Sequence, residues 1–281
     1  MAVKIKIIMA KRAGFCFGVK RAVDMAFDVA KKSENVYTLG PIIHNPQVIE
    51  RLKSEGVRPI ESIDSPKIET LIVRTHGVTK EISDRLARKK YKVIDTTCPF
   101  VKKAQKDAGL LKDEGYQVVI IGDREHPEVK GLMSYAGPDV VVISKDALLP
   151  ELKSRVGVVV QTTQPVSVLK KFVSDAVDNV KELKVFNTIC NSTALRLKET
   201  KDIALGVDAV IVVGGKNSAN TTQLANFCIS MSVPTYHIET AAEIREGWFS
   251  NVGKVGITAG ASTPDWIIEE VVDRIRYLGG R

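Results

Sequence analysis

The sequence predicts an α/β protein built from three pseudo-threefold-related α/β units with mostly parallel sheets. Three observations carry that expectation. Short apolar, β-branched runs alternate with amphipathic stretches of helical length, the pattern of βαβ units. The runs are continuously apolar, as strands covered on both faces should be. A spacing also recurs three times without gaps. Cys16, Cys98 and Cys190 are each followed 24 residues later by glycine (Gly40, Gly122, Gly214) and 28 residues later by a polar residue (His44, His126, Ser218).

In chain order, Lys4–Met9 reads as a first strand, because its lysines interrupt the apolar run that a secretion signal would need. Cys16 follows it and opens a helix over Val19–Lys32. Strand Val36–Leu39 ends at Gly40, the loop of His44 follows, and helix Pro46–Ser54 comes next. Strand Leu71–Arg74 runs into the polar loop Arg-Thr-His-Gly-Val at 74–78, then helix Lys80–Lys89 and strand Lys92–Asp95. The second unit repeats the plan: Cys98, helix Val101–Glu114, strand Gln117–Ile121, Gly122, the His126 loop, strands Val140–Ile143 and Val156–Gln161, a polar loop at 161–165, helix Val166–Lys181 and strand Lys184–Asn187. The third runs from Cys190 through strand Ala209–Val213, the Ser218 loop, strands Thr235–Ile238 and Val255–Thr258, a polar loop at 258–264 and helix Thr263–Tyr277. The expected units are 14–97, 98–188 and 189–281, the last joined by the N-terminal strand 1–13. Ligands of open parallel sheets bind beyond the carboxyl ends of strands, and every polar loop named here lies at such an end.

The composition is that of an ordinary soluble globular protein, 44% hydrophobic and 26% charged over 281 residues. No apolar run approaches the roughly 20 residues that span a bilayer, so a cytoplasmic location is expected. Four cysteines are too few for a disulfide-stapled fold and read as thiols or metal ligands. The net charge of +8 suits an anionic substrate or an acidic partner protein. No tract of Lys and Arg with interleaved aromatics is present, which argues against nucleic-acid binding.

Three thiols at matched repeat positions are hard to explain as core packing. Each is expected at a helix N-terminus, where the dipole and free N–H groups favour thiolate. Lys20 and Arg21, and Lys102 and Lys103, would push the same way. Three thiolates leave one coordination position open, whether the metal is zinc with a water or a 4Fe–4S cluster with one iron lacking a cysteine. Cys228, in Leu-Ala-Asn-Phe-Cys-Ile-Ser-Met, reads as a core residue, and His237 as a satisfied strand histidine. His44, His76 and His126 fall in strand-end loops, and with Ser218, Asn220 and Ser262 they form a neutral-to-cationic donor set suited to a diphosphate. Glu128, two residues after His126, is placed to relay protons, and Thr162 and Thr163 offer hydroxyls.

Taken together, Ala13–Val23, Gly40–Pro46, Thr75–Val78, Asp95–Pro99, His126–Val129, Gln161–Thr163, Ile189–Asn191, Lys216–Asn220 and Thr258–Pro264 closely resemble the 4-hydroxy-3-methylbut-2-enyl diphosphate reductase (IspH/LytB) family. The resemblance covers essentially the whole chain. It implies a three-lobed α/β fold around a central iron–sulfur site, one 4Fe–4S cluster with Cys16, Cys98 and Cys190 as ligands and one open iron. It implies that His44, His76, His126, Ser218, Asn220 and Ser262 bind the diphosphate, that Glu128 relays protons and that Thr162 stands near the substrate hydroxyl. The implied activity is reductive dehydroxylation of that allylic diphosphate to isopentenyl and dimethylallyl diphosphate, with a ferredoxin or flavodoxin as electron donor. Ala219 departs from the pattern, since many relatives carry a second serine there. Two competing readings are a three-cysteine iron–sulfur dehydratase resembling quinolinate synthase and a zinc-binding or redox-sensing protein. The Thr-His-Gly-Val, His-Pro-Glu-Val and Lys-Asn-Ser-Ala-Asn stretches argue against the first, and the phosphate-donor loops against the second.

Overall fold

A computed structural model describes residues 5–64, 68–145 and 147–279. It contains twelve strands among these residues: β1 (Lys6–Met9), β2 (Val36–Leu39), β3 (Val57–Ile60), β4 (Thr70–Val73), β5 (Lys92–Asp95), β6 (Gln117–Ile121), β7 (Val141–Ile143), β8 (Arg155–Val160), β9 (Glu182–Val185), β10 (Ala209–Val213), β11 (Thr235–Ile238) and β12 (Lys254–Ala259). The α-helices are α1 (Phe17–Ala30), α2 (Pro46–Ser54), α3 (Lys80–Leu86), α4 (Pro99–Asp113), α5 (Pro127–Ala136), α6 (Val166–Val177), α7 (Asn191–Ala204), α8 (Ala219–Ser230) and α9 (Asp265–Gly279). Lys4, the first residue of the expected opening strand, lies outside the described residues, as do residues 1–3 of the expected N-terminal segment.

The strands form three four-stranded sheets, ordered β1-β12-β10-β11, β3-β2-β4-β5 and β7-β6-β8-β9, and every pairing is parallel. The order is the same in all three. One edge strand (β1, β5 or β9) immediately precedes a cysteine in the chain, and the next strand inward (β12, β4 or β8) ends in one of the polar loops. In the β1 sheet that edge strand comes from the N-terminal segment, whereas its neighbours lie beyond residue 208.

The chain divides into two compact bodies. The first comprises Met1–Lys20, Ile43–Ser54 and Asn191–Arg281 and holds the β1 sheet; the second comprises Arg21–Ile42 and Glu55–Cys190 and holds the other two. In the first body Ile211, Val213, Ile257 and Ala259 pack on Ile267, Val271 and Ile275 of α9. The alternate residues Val210 and Val212 pack on Leu224 and Cys228 of α8. In the second body Val119 and Ile121 face Leu169 and Phe172 of α6, while Val118 and Ile120 face Leu111 of α4 and Leu132 of α5. Helices on both faces are why the central strands are continuously apolar. Each fully buried Val or Ile there contributes about 1.5–3 kcal/mol.

The edge strands differ from that pattern. β1, β5 and β9 share one burial profile, exposed at both ends and half-buried between, and carry Lys6, Lys92 and Asp95, and Glu182 and Lys184. Charge on an edge blocks pairing with another chain. The strand β3 was not anticipated from the sequence: Val-Arg-Pro-Ile is short, and its proline is tolerated because it lies at the sheet edge.

Candidate functional site

The three repeat-matched cysteines share one backbone seat. The Cys16 amide donates to the Ala261 carbonyl (3.1 Å), that of Cys98 to Thr75 (3.0 Å) and that of Cys190 to Thr162 (2.8 Å). Each acceptor lies two residues past the end of the strand next to the cysteine's edge strand. Each cysteine then opens a helix. Lys20 N and Lys102 N close the first turn on the Cys16 and Cys98 carbonyls (2.8 and 3.0 Å), and Cys98 is the N-cap of α4 with no side-chain cap bond. All three are half-buried thiols. Cys228 is also a thiol but is fully buried on α8, where burial pushes its pKa up to about 11.

Three of the four cations expected near the thiols have other partners as well. Lys102 pairs with Asp95 and Lys103 with Asp107, each at 2.6 Å. Arg21 donates to the carbonyl of Thr97, the residue before Cys98, at 3.5 Å. A cation whose charge acts with Cys16 is Arg196, a residue on α7 that no sequence signal identified. It is 2% exposed, and its guanidinium donates to the carbonyls of Arg12, Gly14 (2.9 Å) and Ala259 (2.6 Å). Burial lowers its pKa from the ordinary arginine value, and negative charge at Cys16 and Glu199 acts in the opposite direction.

In the second body the structure brings Glu128, Thr162, His76 and His126 together in pairs. His126 is the N-cap of α5, and its Nδ1 accepts from the Glu128 amide at 3.1 Å. In the neutral ring this places the proton on Nε2. The rings of His76 and His126 meet edge to face with centroids 5.4 Å apart. The Glu128 carboxylate accepts from the Thr162 amide (2.6 Å) and hydroxyl (2.9 Å), and both residues are buried. Burial raises the Glu128 pKa, and the two Thr162 bonds partly counter it. A buried carboxyl whose pKa is raised takes up a proton more readily and is suited to proton transfer. Behind this group sits Gln105 of α4, 7% exposed, whose Nε2 donates to Val78 O at 3.4 Å. A Cβ at Gly77 or Gly131 would come within 2.9 or 3.1 Å of that same nitrogen, and Gly77 in addition has a φ of +73°, where a side chain is strained. Gln105 thereby ties the helix opened by Cys98 to the His76 loop and to α5.

In the first body His44, Ser218, Ser262 and Asn220 form a second group. Ser262 Oγ donates to the His44 carbonyl at 3.4 Å, and a Cβ on Gly215 would lie 3.8 Å from that carbonyl and 3.9 Å from Ser218 Cβ. Ser218 is the N-cap of α8, its Oγ accepting from Thr221 N at 3.4 Å. Asn220 Nδ2 and Thr221 Oγ1 are buried and have no hydrogen-bond partner among the described residues. Such orphaned donors fit a ligand rich in acceptor oxygens. The loop is braced from behind. His237 Nε2 meets the Gly214 carbonyl at 2.9 Å, which makes this histidine satisfied within its strand. The Glu239 carboxylate accepts from Lys216 N at 2.7 Å. The expected equivalence of His44 with His126 and Ser218 holds only in part: the latter two cap their helices, whereas at α2 the cap is Asn45, whose Oδ1 accepts from Val48 N at 3.0 Å. His44 stands one residue outside and is exposed. Thr163 is half-buried beside Thr162 in the chain.

Among the described residues no helix is long and apolar enough to cross a membrane. The family model described as LytB protein matches residues 7–276. A 4-hydroxy-3-methylbut-2-enyl diphosphate reductase of Geobacter sulfurreducens is 51% identical over 280 residues, covering 99% of each chain. One of Geobacter metallireducens is 50% identical over 277 residues, covering 98% of each. The fold is similar to a solved structure of (E)-4-hydroxy-3-methyl-but-2-enyl diphosphate reductase, described as the terminal enzyme of the non-mevalonate pathway. That match has a TM-score of 0.77 and 46% identity, covering 97% of this chain and 99% of that one. It is similar also to the E-1-hydroxy-2-methyl-but-2-enyl-4-diphosphate reductase of Plasmodium falciparum, with a TM-score of 0.85 and 27% identity, covering 96% of this chain and 87% of that one.

Proposed function

The chain belongs to the LytB protein family, and from that premise we propose that Cys16, Cys98 and Cys190 are the protein ligands of the one 4Fe–4S cluster on which its activity depends. It is a reductase of the terminal step of non-mevalonate isoprenoid synthesis, removing the hydroxyl of 4-hydroxy-3-methylbut-2-enyl diphosphate to give isopentenyl and dimethylallyl diphosphate. The observation that supports the ligand assignment most is the shared seat of the three thiols. Each is half-buried, each opens a helix, and each has its amide anchored to the equivalent carbonyl. Three equivalent thiolates and no fourth match a cluster with one iron open to substrate. When bound, that cluster supplies Lewis-acid polarisation of the departing hydroxyl oxygen and a route for single electrons.

The protein's own side chains do the rest. His44, His76, His126, Ser218, Asn220 and Ser262 donate to the diphosphate oxygens, with the unpartnered Asn220 Nδ2 the strongest individual support for this role. Helix N-termini at α5 and α8 add backbone N–H groups. Holding both phosphates fixes the allylic carbon skeleton, so that reaction becomes a matter of local bond change. Glu128 carries a proton at a buried carboxyl and delivers it as water leaves and a C–H bond forms. Thr162 holds that carboxyl in place through two bonds, and the family resemblance puts its hydroxyl near the substrate oxygen. Two electrons and two protons balance the loss of one water. The electrons come from a ferredoxin or flavodoxin, acidic carriers that suit a chain of net charge +8, and the enzyme works in the cytoplasm.

The test is to purify the protein without oxygen and measure iron, acid-labile sulfide and zinc. About four irons with matching sulfide are expected for a single cluster of this type. Zinc without sulfide would overturn the cofactor assignment, and turnover that consumes no reductant would overturn the reductive role.

A further inference from the structure

We infer that Arg196 is a positioning residue for Cys16, fixing the backbone on both sides of this cysteine and supplying the positive charge that opposes the negative charge gathering there when an electron arrives. The inference rests on the reading of Cys16 as a cluster ligand.

Two backbone segments define the seat of Cys16, and Arg196 holds both. One is the approach, where the guanidinium binds the carbonyls of Arg12 and Gly14, the latter two residues before the cysteine. The other is the end of β12, where it binds the Ala259 carbonyl, two residues before the Ala261 carbonyl that receives the Cys16 amide. A planar guanidinium spans these directions at once, which an ammonium cannot do.

The charge is the second part of the argument. Arg196 is 2% exposed and stays protonated at any working pH. Its hydrogen bonds go to carbonyls, which carry no net charge, and its Nε is buried with no hydrogen-bond partner among the described residues. A buried cation without a directly bonded carboxylate is expensive. The anions that act on it are Cys16 and Glu199. Glu199 is engaged elsewhere, accepting from Lys11 N (2.7 Å) and Arg12 N (3.0 Å). Those bonds come from neutral amides and leave the Glu199 charge in place, so both anions act on Arg196, and negative charge gathered at Cys16 would be stabilised by it.

The repeat shows that packing does not call for arginine here. Six residues after Cys16 stands Ala22, and six after Cys98 stands Ala104, both fully buried. Only the third repeat places a cation at this point. Two of three equivalent helices thus bury a methyl group where the third buries a guanidinium.

The test compares anaerobically purified wild type with Arg196→Gln, Arg196→Lys and Glu199→Gln. Iron and sulfide content, the reduction equilibrium followed by EPR, and hydrogen exchange of residues 11–16 in the iron-free chain are the readouts. Arg196→Gln should shift the equilibrium toward the oxidised state at least tenfold, about 59 mV for one electron. Arg196→Lys should recover most of that shift, because it keeps the charge. Glu199→Gln should move it the opposite way, and it serves as the charge test if Arg196→Gln fails to load iron. Exchange at residues 11–16 should quicken in both Arg196 variants. Equal shifts in the Gln and Lys variants, or no shift in Glu199→Gln, would overturn the charge role. Unchanged exchange at 11–16 would overturn the positioning role. Absence of iron and sulfide from the wild type would instead overturn the parent reading of Cys16.

Discussion

Thr162 grips Glu128 twice, its amide donating to one carboxylate oxygen at 2.6 Å and its hydroxyl to the other at 2.9 Å. The same residue's carbonyl receives the Cys190 amide at 2.8 Å. One threonine thereby bonds both the Glu128 carboxylate and the backbone of Cys190. A carboxylate with both oxygens accepting has a fixed orientation, and burial raises its pKa so that it holds a proton more readily than an exposed glutamate.

Glu128→Gln should retain iron, sulfide and diphosphate affinity while turnover falls by about a hundredfold or more, the usual contribution of a positioned acid or base. The amide oxygen still accepts from Thr162 N, so folding is preserved. Steady-state kinetics with a chemical reductant checks this, and near-normal activity would remove Glu128 from the reaction.

The raised pKa of Glu128 has a defined signature in stability. Its contribution is fully present below the unfolded-state carboxylate value, about 4.3, and is lost as pH rises through the folded value. The neutral Glu128→Gln side chain escapes that loss. Its melting temperature relative to wild type should therefore be highest near neutral pH and decline as pH falls toward 4, a trend that paired calorimetric scans would reveal. A flat difference would mean that Glu128 is not perturbed.

His44→Ala and Asn220→Ala should each weaken binding of inorganic diphosphate by about tenfold to a hundredfold, corresponding to hydrogen bonds to a charged group of about 1.5–3 kcal/mol. Calorimetric titration of the iron-free chain measures this without turnover. Removal of Asn220 should in addition raise stability slightly in the unliganded state, because its buried Nδ2 has no hydrogen-bond partner among the described residues. Equal affinity in wild type and both variants would exclude these residues from diphosphate binding.

Alkylation should separate the four cysteines. In the iron-free folded chain, Cys16, Cys98 and Cys190 are half-buried and should react, whereas Cys228, fully buried and with a pKa near 11, should be labelled only after unfolding. Peptide mapping by mass spectrometry resolves the sites, and rapid labelling of Cys228 in the folded state would contradict its core position.

Much of this was legible in the sequence because the repeat is gapless where it matters. Each of Cys16, Cys98 and Cys190 is followed by glycine at +24 and a polar residue at +28, and each opens a helix beside the end of the strand next to its edge strand, although the loops before the cysteines differ in length. The strand-end histidines and Ser218 were visible for the same reason. What escaped was polar and internal. The helix α7 lacks an apolar stripe because its inward face carries Arg196 and Thr200, both buried. Gln105 sits on the same face of α4 as Val101, Ala104 and Ala108, where a helical wheel would show a lone amide on an apolar side. Local charge misled in one respect: Lys102 and Lys103 neighbour Cys98 in sequence, yet acids one turn away or on β5 hold them.

The pairing of β1 with β12 also governs when each cysteine seat comes into being. The carbonyls that receive Cys98 and Cys190 are made before those cysteines are, so both seats can form while the ribosome is still adding residues. Ala261, which receives Cys16, is synthesised some 245 residues after it. The first of the three thiols to be made is thus the last whose anchoring carbonyl exists. On the cluster assignment proposed above, loading is deferred until the chain is nearly finished, when Gly279 of α9 packs back against Ile5.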